Sequence, residues 1–235
     1  MTMSARAPAK RLGGANSARK ARTPEVVLNG IRYVRAPEPV RFPVQDVVPE
    51  SKRHLEQRSL LYEILKLHFG DRALIGCDQF VYWDPTDPKK SLAPDAFVRL
   101  GELNVEFDSW KVWERGAPDV AVEIISRSDS RDRRWQAKVA KYRRLGVREL
   151  VRFEAERDAP ISLRVWDAID NDLVERGGIE RLAESRVLSA TWVVVDDADG
   201  IPRLRLSRDA EGKDLYPTSA ERVRELEAEL SRRSR

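Results

Sequence analysis

One acid lies inside the apolar run DVAVEII at residues 119–125, where Glu123 interrupts Val120, Ala121, Val122, Ile124 and Ile125. Apolar residues at both odd and even positions imply a strand covered on both faces. A carboxylate there is costly to desolvate unless it meets a cation, a metal ion or a cavity. A plain salt bridge, or an edge position facing water, would make it structural instead. Two Pro-Asp pairs open strand-like segments, Pro94-Asp95 before AFVRL and Pro118-Asp119 before VAVEII. Asp119 and Glu123 share a face of one strand, but at ~3.3 Å per residue they stand about 13 Å apart and do not share one ion directly. Asp95 enters from another strand and lies beside Glu123 if the two strands are neighbours, as sequential strands usually are. Two hard oxygen ligands at the ends of adjacent strands suit Mg²⁺ or Mn²⁺, which keep several waters and bind substrate phosphate. Lys138 follows on the next helix, sharing a face with Arg134, Lys141 and Tyr142. Alone it is a solvated lysine; beside two acids it orients or helps deprotonate an attacking water and stabilises charge building on phosphorus.

The elements that must position these residues are legible from periodicity. Residues 51–69 read as a helix with Leu55, Leu60, Leu61, Ile64, Leu65 and Leu67 apolar and Gly70 ending it. ALIGCDQFVYW at 73–83 and AFVRL at 96–100 read as two strands joined by a turn on Asp84, Pro85, Asp87 and Pro88. After the 119–125 strand, a helix runs from about Asp132 to Leu145, carries Trp135, Val139, Tyr142 and Leu145 on related faces, and stops at Gly146. Further strands are expected at 149–155, 161–167, 191–195 and 202–206. A charged helix with a thin stripe of Val223, Leu226 and Leu230 fills 219–233. Thr23–Pro49 mixes prolines with β-prone pieces such as IRYVR and reads as an entry strand or hairpin. Strands outnumber helices, yet two long helices alternate with them, so the class is α/β (α+β) around one sheet.

The segments SLAPDAFVRLGE, SWKVWERGAPDVAVEIISRSDSRD and KVAKYRRLGVREL resemble the Uma-type putative restriction endonuclease family, a bacterial branch of the PD-(D/E)XK nuclease superfamily. PESKRHLEQRSLLYEILKLHF and QFVYWDPTDPKKS match its helix and hairpin, so the likeness spans roughly residues 45–232. The resemblance implies a restriction-endonuclease-like central mixed sheet flanked by helices, with extra hairpins, and an Mg²⁺-dependent (or Mn²⁺-dependent) endonuclease acting on DNA. By position it places the metal-binding and catalytic acids on Asp95 and Glu123. The lysine that usually stands two residues after the glutamate is Ile125 here, and the family draws its lysine from the following helix. That lysine is Lys138, or Lys141, because the intervening loop is about one residue longer. Glu50 and Ser126 are auxiliary candidates, and Lys52 stands where the family tends to have an acid. His54 and His68 are expected to serve in packing or hydrogen bonding on the helix face. The other class of function is a weakly active nucleic-acid-binding or assembly module on the same scaffold.

The chain has 235 residues, enough for one domain with a substantial core. The net charge of +4 is uneven: residues 1–24 contain six basic and no acidic residues, leaving −2 for the rest. We therefore expect a disordered basic arm over 1–24, a nuclease-like domain over 25–210 and a charged helix over 214–235. The arm resembles a transit peptide in composition, but reads more simply as a source of phosphate attraction. Cys77 is the only cysteine, which excludes an intrachain disulfide and a thiolate zinc site. No apolar run approaches membrane-spanning length. The expectation is a cytoplasmic protein with DNA as partner, no membrane, and a homodimer favoured if both strands are cut.

Overall fold

A computed structural model describes residues 25–34, 51–125, 132–154, 163–177 and 181–234. The expected arm, Glu50 and Ser126 lie outside the described residues. The chain divides into two compact units, Met1–Pro39 and Val40–Arg235. In the first, β1 (Glu25–Leu28) and β2 (Ile31–Val34) form an antiparallel hairpin. Asn29 and Gly30 both adopt positive φ at its turn, the conformation that an Asn-Gly pair favours.

The second unit is built on a six-stranded mixed sheet. Its elements include α1 (Lys52–Phe69), β3 (Ala73–Gly76), β4 (Val81–Tyr82), β5 (Ser91–Leu92), β6 (Ala96–Leu100), β7 (Trp110–Lys111), α2 (Val112–Arg115), β8 (Val120–Ile125) and α3 (Asp132–Leu145). They continue with β9 (Glu149–Glu154), β10 (Leu163–Ile169), β11 (Asp172–Glu175), β12 (Leu182–Ser185), β13 (Ala190–Asp196), β14 (Pro202–Ser207) and α4 (Ser219–Arg233). The main sheet has the order β11-β10-β9-β8-β6-β3, in which only β8 and β9 run parallel. All six residues of β8 are buried, as its uninterrupted apolar pattern requires. Its even members Val120, Val122 and Ile124 pack in a layer with Leu61, Ile64 and Leu65 of α1 and Trp192 of β13. Ala121 and Ile125 lie in the opposite layer, with Trp135, Val139 and Tyr142 of α3.

The local signals that set these elements are conventional. Ser51 caps α1 by accepting from the His54 N–H at 3.2 Å. Gly146 ends α3 at φ 91°, a left-handed conformation that favours glycine. Thr218 and Glu221 form a reciprocal capping box that starts α4. Gln57, fully buried on α1, donates to the Leu204 carbonyl at 3.0 Å and accepts from its N–H at 3.2 Å. It thereby ties α1 to the outer edge of the β12–β14 sheet. Among the described residues no helix is long and apolar enough to cross a membrane.

Two sequence readings need correction. Residues 73–83 are not one strand: β3 pairs with β6 in the main sheet, while β4 pairs with β5 and β7 in a separate small sheet. The Asp84–Pro88 turn therefore joins β4 to β5, and the break falls at Asp78, which adopts φ 66°. The short strands β11 and β12 went unpredicted, because the exposed residues of DLVE and LAES give little apolar alternation to read.

Candidate active site

Asp95 stands one residue before β6, and the β6–β8 register, Ala96 opposite Val122, brings it opposite Glu123. There the side chain continues the ladder in place of the backbone, since Asp95 Oδ2 accepts from the Ile124 N–H at 2.7 Å. Its Oδ1 lies 2.6 Å from His54 Nε2. His54 thus hydrogen-bonds from the helix face as expected, but the partner is a candidate site acid. Nothing in the helical pattern of α1 announces this contact, which only the tertiary fold creates.

Glu123 points to the α3 layer and is almost completely buried. Lys138 Nζ donates to its Oε2 at 2.6 Å, and the Tyr142 hydroxyl donates to its Oε1. Lys138 and Tyr142 are one helical turn apart, so one face of α3 delivers both donors. Burial pushes the Glu123 carboxyl above the usual glutamate range; Lys138 opposes that rise and the Asp95 charge reinforces it. The Tyr142 phenol is driven well above its ordinary value by burial and then by the charge of Glu123. Lys141 is exposed on α3 and makes no ion pair with either acid among the described residues.

The second Pro-Asp pair does something different. Asp119 accepts from the Leu100 N–H at 2.8 Å and pairs with Arg99 and Arg148, both at 3.3 Å. It clips β6, β8 and β9 together and stands away from Glu123 along β8. Arg152, opposite Glu123 on β9, was not foreseen: it is buried, bonds Glu154 at 2.6 Å and lies 4.9 Å over the Trp135 ring.

Among the described residues no three His, Cys, Asp or Glu side chains converge as a complete metal site. Asp95 and Glu123 nevertheless supply two adjacent hard oxygen donors, a set that fits an ion completed by water and phosphate better than one needing a full protein cage.

The family model described as "Putative restriction endonuclease" (Uma2) matches residues 44–170, which contain Asp95, Glu123, Lys138 and Tyr142. The chain belongs to this family. Uma2 membership supports a nuclease, with nucleic acid as substrate and divalent metals as the general cofactors. Among solved structures, the chain is similar to a putative nuclease belonging to DUF820 from Anabaena variabilis ATCC 29413, at 13% identity and a TM-score of 0.42. That likeness covers 67% of this chain and 79% of the other. No curated protein matches significantly.

Proposed function

We propose that the protein is an Mg²⁺-dependent endonuclease, also served by Mn²⁺, that hydrolyses DNA phosphodiester bonds. The observation that carries this reading is the meeting of Asp95 and Glu123 across adjacent strands, with Lys138 2.6 Å from Glu123. In this reading Asp95 and Glu123 hold the cation, which would neutralise phosphate charge and make water a better nucleophile at neutral pH. Lys138 has a third of its side chain in solvent. It is thus the donor able to turn from Glu123 toward a phosphoryl oxygen and stabilise charge developing there. Tyr142 fixes the orientation of Glu123 from a fully buried position, and His54 does the same for Asp95. Residues 1–24 add sequence-independent attraction to phosphates.

The test is plasmid nicking in Mg²⁺ or Mn²⁺. Wild type should cleave and Asp95→Ala should not; identical residual nicking by both would sink the catalytic assignment. Deleting residues 1–22 should weaken DNA binding and flatten its salt dependence, and unchanged affinity would remove the arm from the reading.

A second reading, a nucleic-acid-binding module of little activity, draws on the fact that both oxygens of each acid have a protein donor or ring nitrogen beside them. Calorimetry separates the two. Mg²⁺ binding that disappears in Glu123→Gln supports the enzyme, and metal-independent DNA binding without it supports the module.

A further inference from the structure

A cavity of about 490 Å³ opens between α1 and the β3–β4 loop, lined in part by Arg58, Tyr62, Asp78 and Phe107. Both of its walls are anchored to the candidate site. Arg58 follows His54 by one turn of α1, and His54 contacts Asp95. On the other wall, the Asp78 N–H donates at 2.9 Å to the carbonyl of Pro94, the residue before Asp95. The cavity is therefore connected to Asp95 along two routes, through His54 to Arg58 on α1 and through Pro94 to Asp78 across the loop.

Its chemistry is that of a base-binding site. Tyr62 and Phe107 supply aromatic surface, and Phe107 is held in place by edge-on packing at 5.5 Å from Trp110 and by Phe97 at 6.0 Å. Aromatic surface accepts any base by stacking. Asp78 supplies an acceptor and takes a left-handed backbone at φ 66°. The loop around it is braced, because the Cys77 N–H donates to Gln79 Oε1 at 2.6 Å. The Asp78 carboxylate pairs with Arg58, whose side chain is mostly buried, yet 45% of the Asp78 side chain remains exposed. Arg58 thereby orients the Asp78 carboxylate and offsets its charge, while Asp108 is a second acid on the lining. A carboxylate accepts two adjacent N–H donors, and guanine is the base that presents such a pair, at N1 and N2.

We propose that this cavity receives an unstacked nucleobase, guanine in preference to the others, next to the phosphate held at Asp95 and Glu123. The proposal rests on the nuclease reading for the position of that phosphate. Tyr62 and Phe107 stack the base and Asp78 selects it.

The test uses the full chain in Ca²⁺ and labelled 12-mers of tetrahydrofuran phosphate that carry one central base, or none, with binding read by fluorescence anisotropy. Wild type should bind the guanine-bearing strand about tenfold more tightly than the baseless one, the size expected of one stacked base. Tyr62→Leu should remove most of that margin, narrowing the difference between the guanine-bearing and baseless strands. Asp78→Asn should erase the preference for guanine over adenine while keeping part of the stacking gain. Circular dichroism checks that both variants fold, and either variant alone suffices to probe the site. Equal affinity of wild type for the guanine-bearing and baseless strands, or no binding of either, overturns the proposal. Failure of the nuclease reading shows elsewhere, as plasmid nicking that Asp95→Ala does not abolish, so the two failures are distinct.

Discussion

Two glutamates are buried in neighbouring strands of the same sheet, and they are set up in opposite ways. Glu123 lies near the end of β8 and Glu149 at the start of β9, and burial raises the carboxyl of each above its ordinary value. Glu149 is sealed: Trp192 Nε1 donates to it at 2.8 Å and Arg176 at 3.3 Å, with Ser185 as a third donor. Arg176 is itself anchored by Asp167 and by the carbonyl of Glu184. Its partners therefore come from elements that must stay where they are, and the glutamate locks the β12–β14 sheet to the central one. Glu123 has a lysine with an open path to solvent, and a second acid opposite it. On the proposed reading, a buried acid paired with a part-exposed lysine, beside another acid, is arranged to receive a cation; one closed by a tethered arginine and an indole holds the fold.

The largest expected effect separates these roles in activity. Glu123→Gln should lower metal-dependent cleavage by more than the roughly 10²–10⁴-fold that one proton-transfer group supplies. Lys138→Met should fall within that range, while Lys141→Met and Glu149→Gln retain activity in proportion to folded protein. Cleavage rates normalised to the folded fraction check this, and full activity in Glu123→Gln would erase the distinction between the two acids. Stability should show the reverse order. Glu149→Ala strands the indole donor and one arginine contact and should cost about 3 kcal/mol in urea unfolding. Glu123→Ala strands the Tyr142 hydroxyl but leaves the part-exposed Lys138 in reach of water, and should cost less.

The sequence made Glu123 visible because a lone acid inside VAVEII breaks an otherwise apolar strand. Glu149 opens ELVRFE, where a charged first residue looks like ordinary strand-edge polarity, so its burial could not be read. Its partners Trp192 and Arg176 lie 43 and 27 residues away, and only sheet packing brings them in. Asp95 followed from strand adjacency, and the shared face of Lys138 and Tyr142 from helical spacing. His54 was singled out as a hydrogen-bonding residue without its partner, since the crossing of α1 over the start of β6 leaves no mark in local sequence. The helices were legible from caps and periodicity. The split at Asp78 was hidden, because no proline marks it and Gly76 stands as the last residue of a β-prone stretch that resumes at Phe80.

A smaller effect tests positioning. Tyr142→Phe removes one donor from Glu123 and leaves Lys138 in place. With a hydrogen bond to a charged group worth about 1.5–3 kcal/mol, cleavage should fall by at least about tenfold. Metal affinity measured by calorimetry should weaken alongside it, a readout that a merely structural tyrosine would not move.

The smallest effect is the pH dependence of stability, and its sign follows from burial. Glu149 has a folded value raised above its ordinary 4.5, so between the two values the native state holds a proton that the unfolded chain has released. The contribution of this group is fully present below 4.5 and is lost as pH rises through the folded value, with a slope no steeper than about 1.4 kcal/mol per pH unit. Glu149→Gln carries no such proton and keeps a carbonyl oxygen for the Trp192 indole. Its urea midpoint should therefore lose less than the wild-type midpoint does as pH is raised from 4.5. The same direction holds for Glu123, where burial also dominates, and Glu123→Gln should flatten the curve separately. If the Glu149→Gln curve instead falls more steeply than wild type, the arginine and indole outweigh burial. Glu149 would then be a carboxylate stabilised by its ion pair, and the contrast between the two acids would rest on access to Lys138 alone.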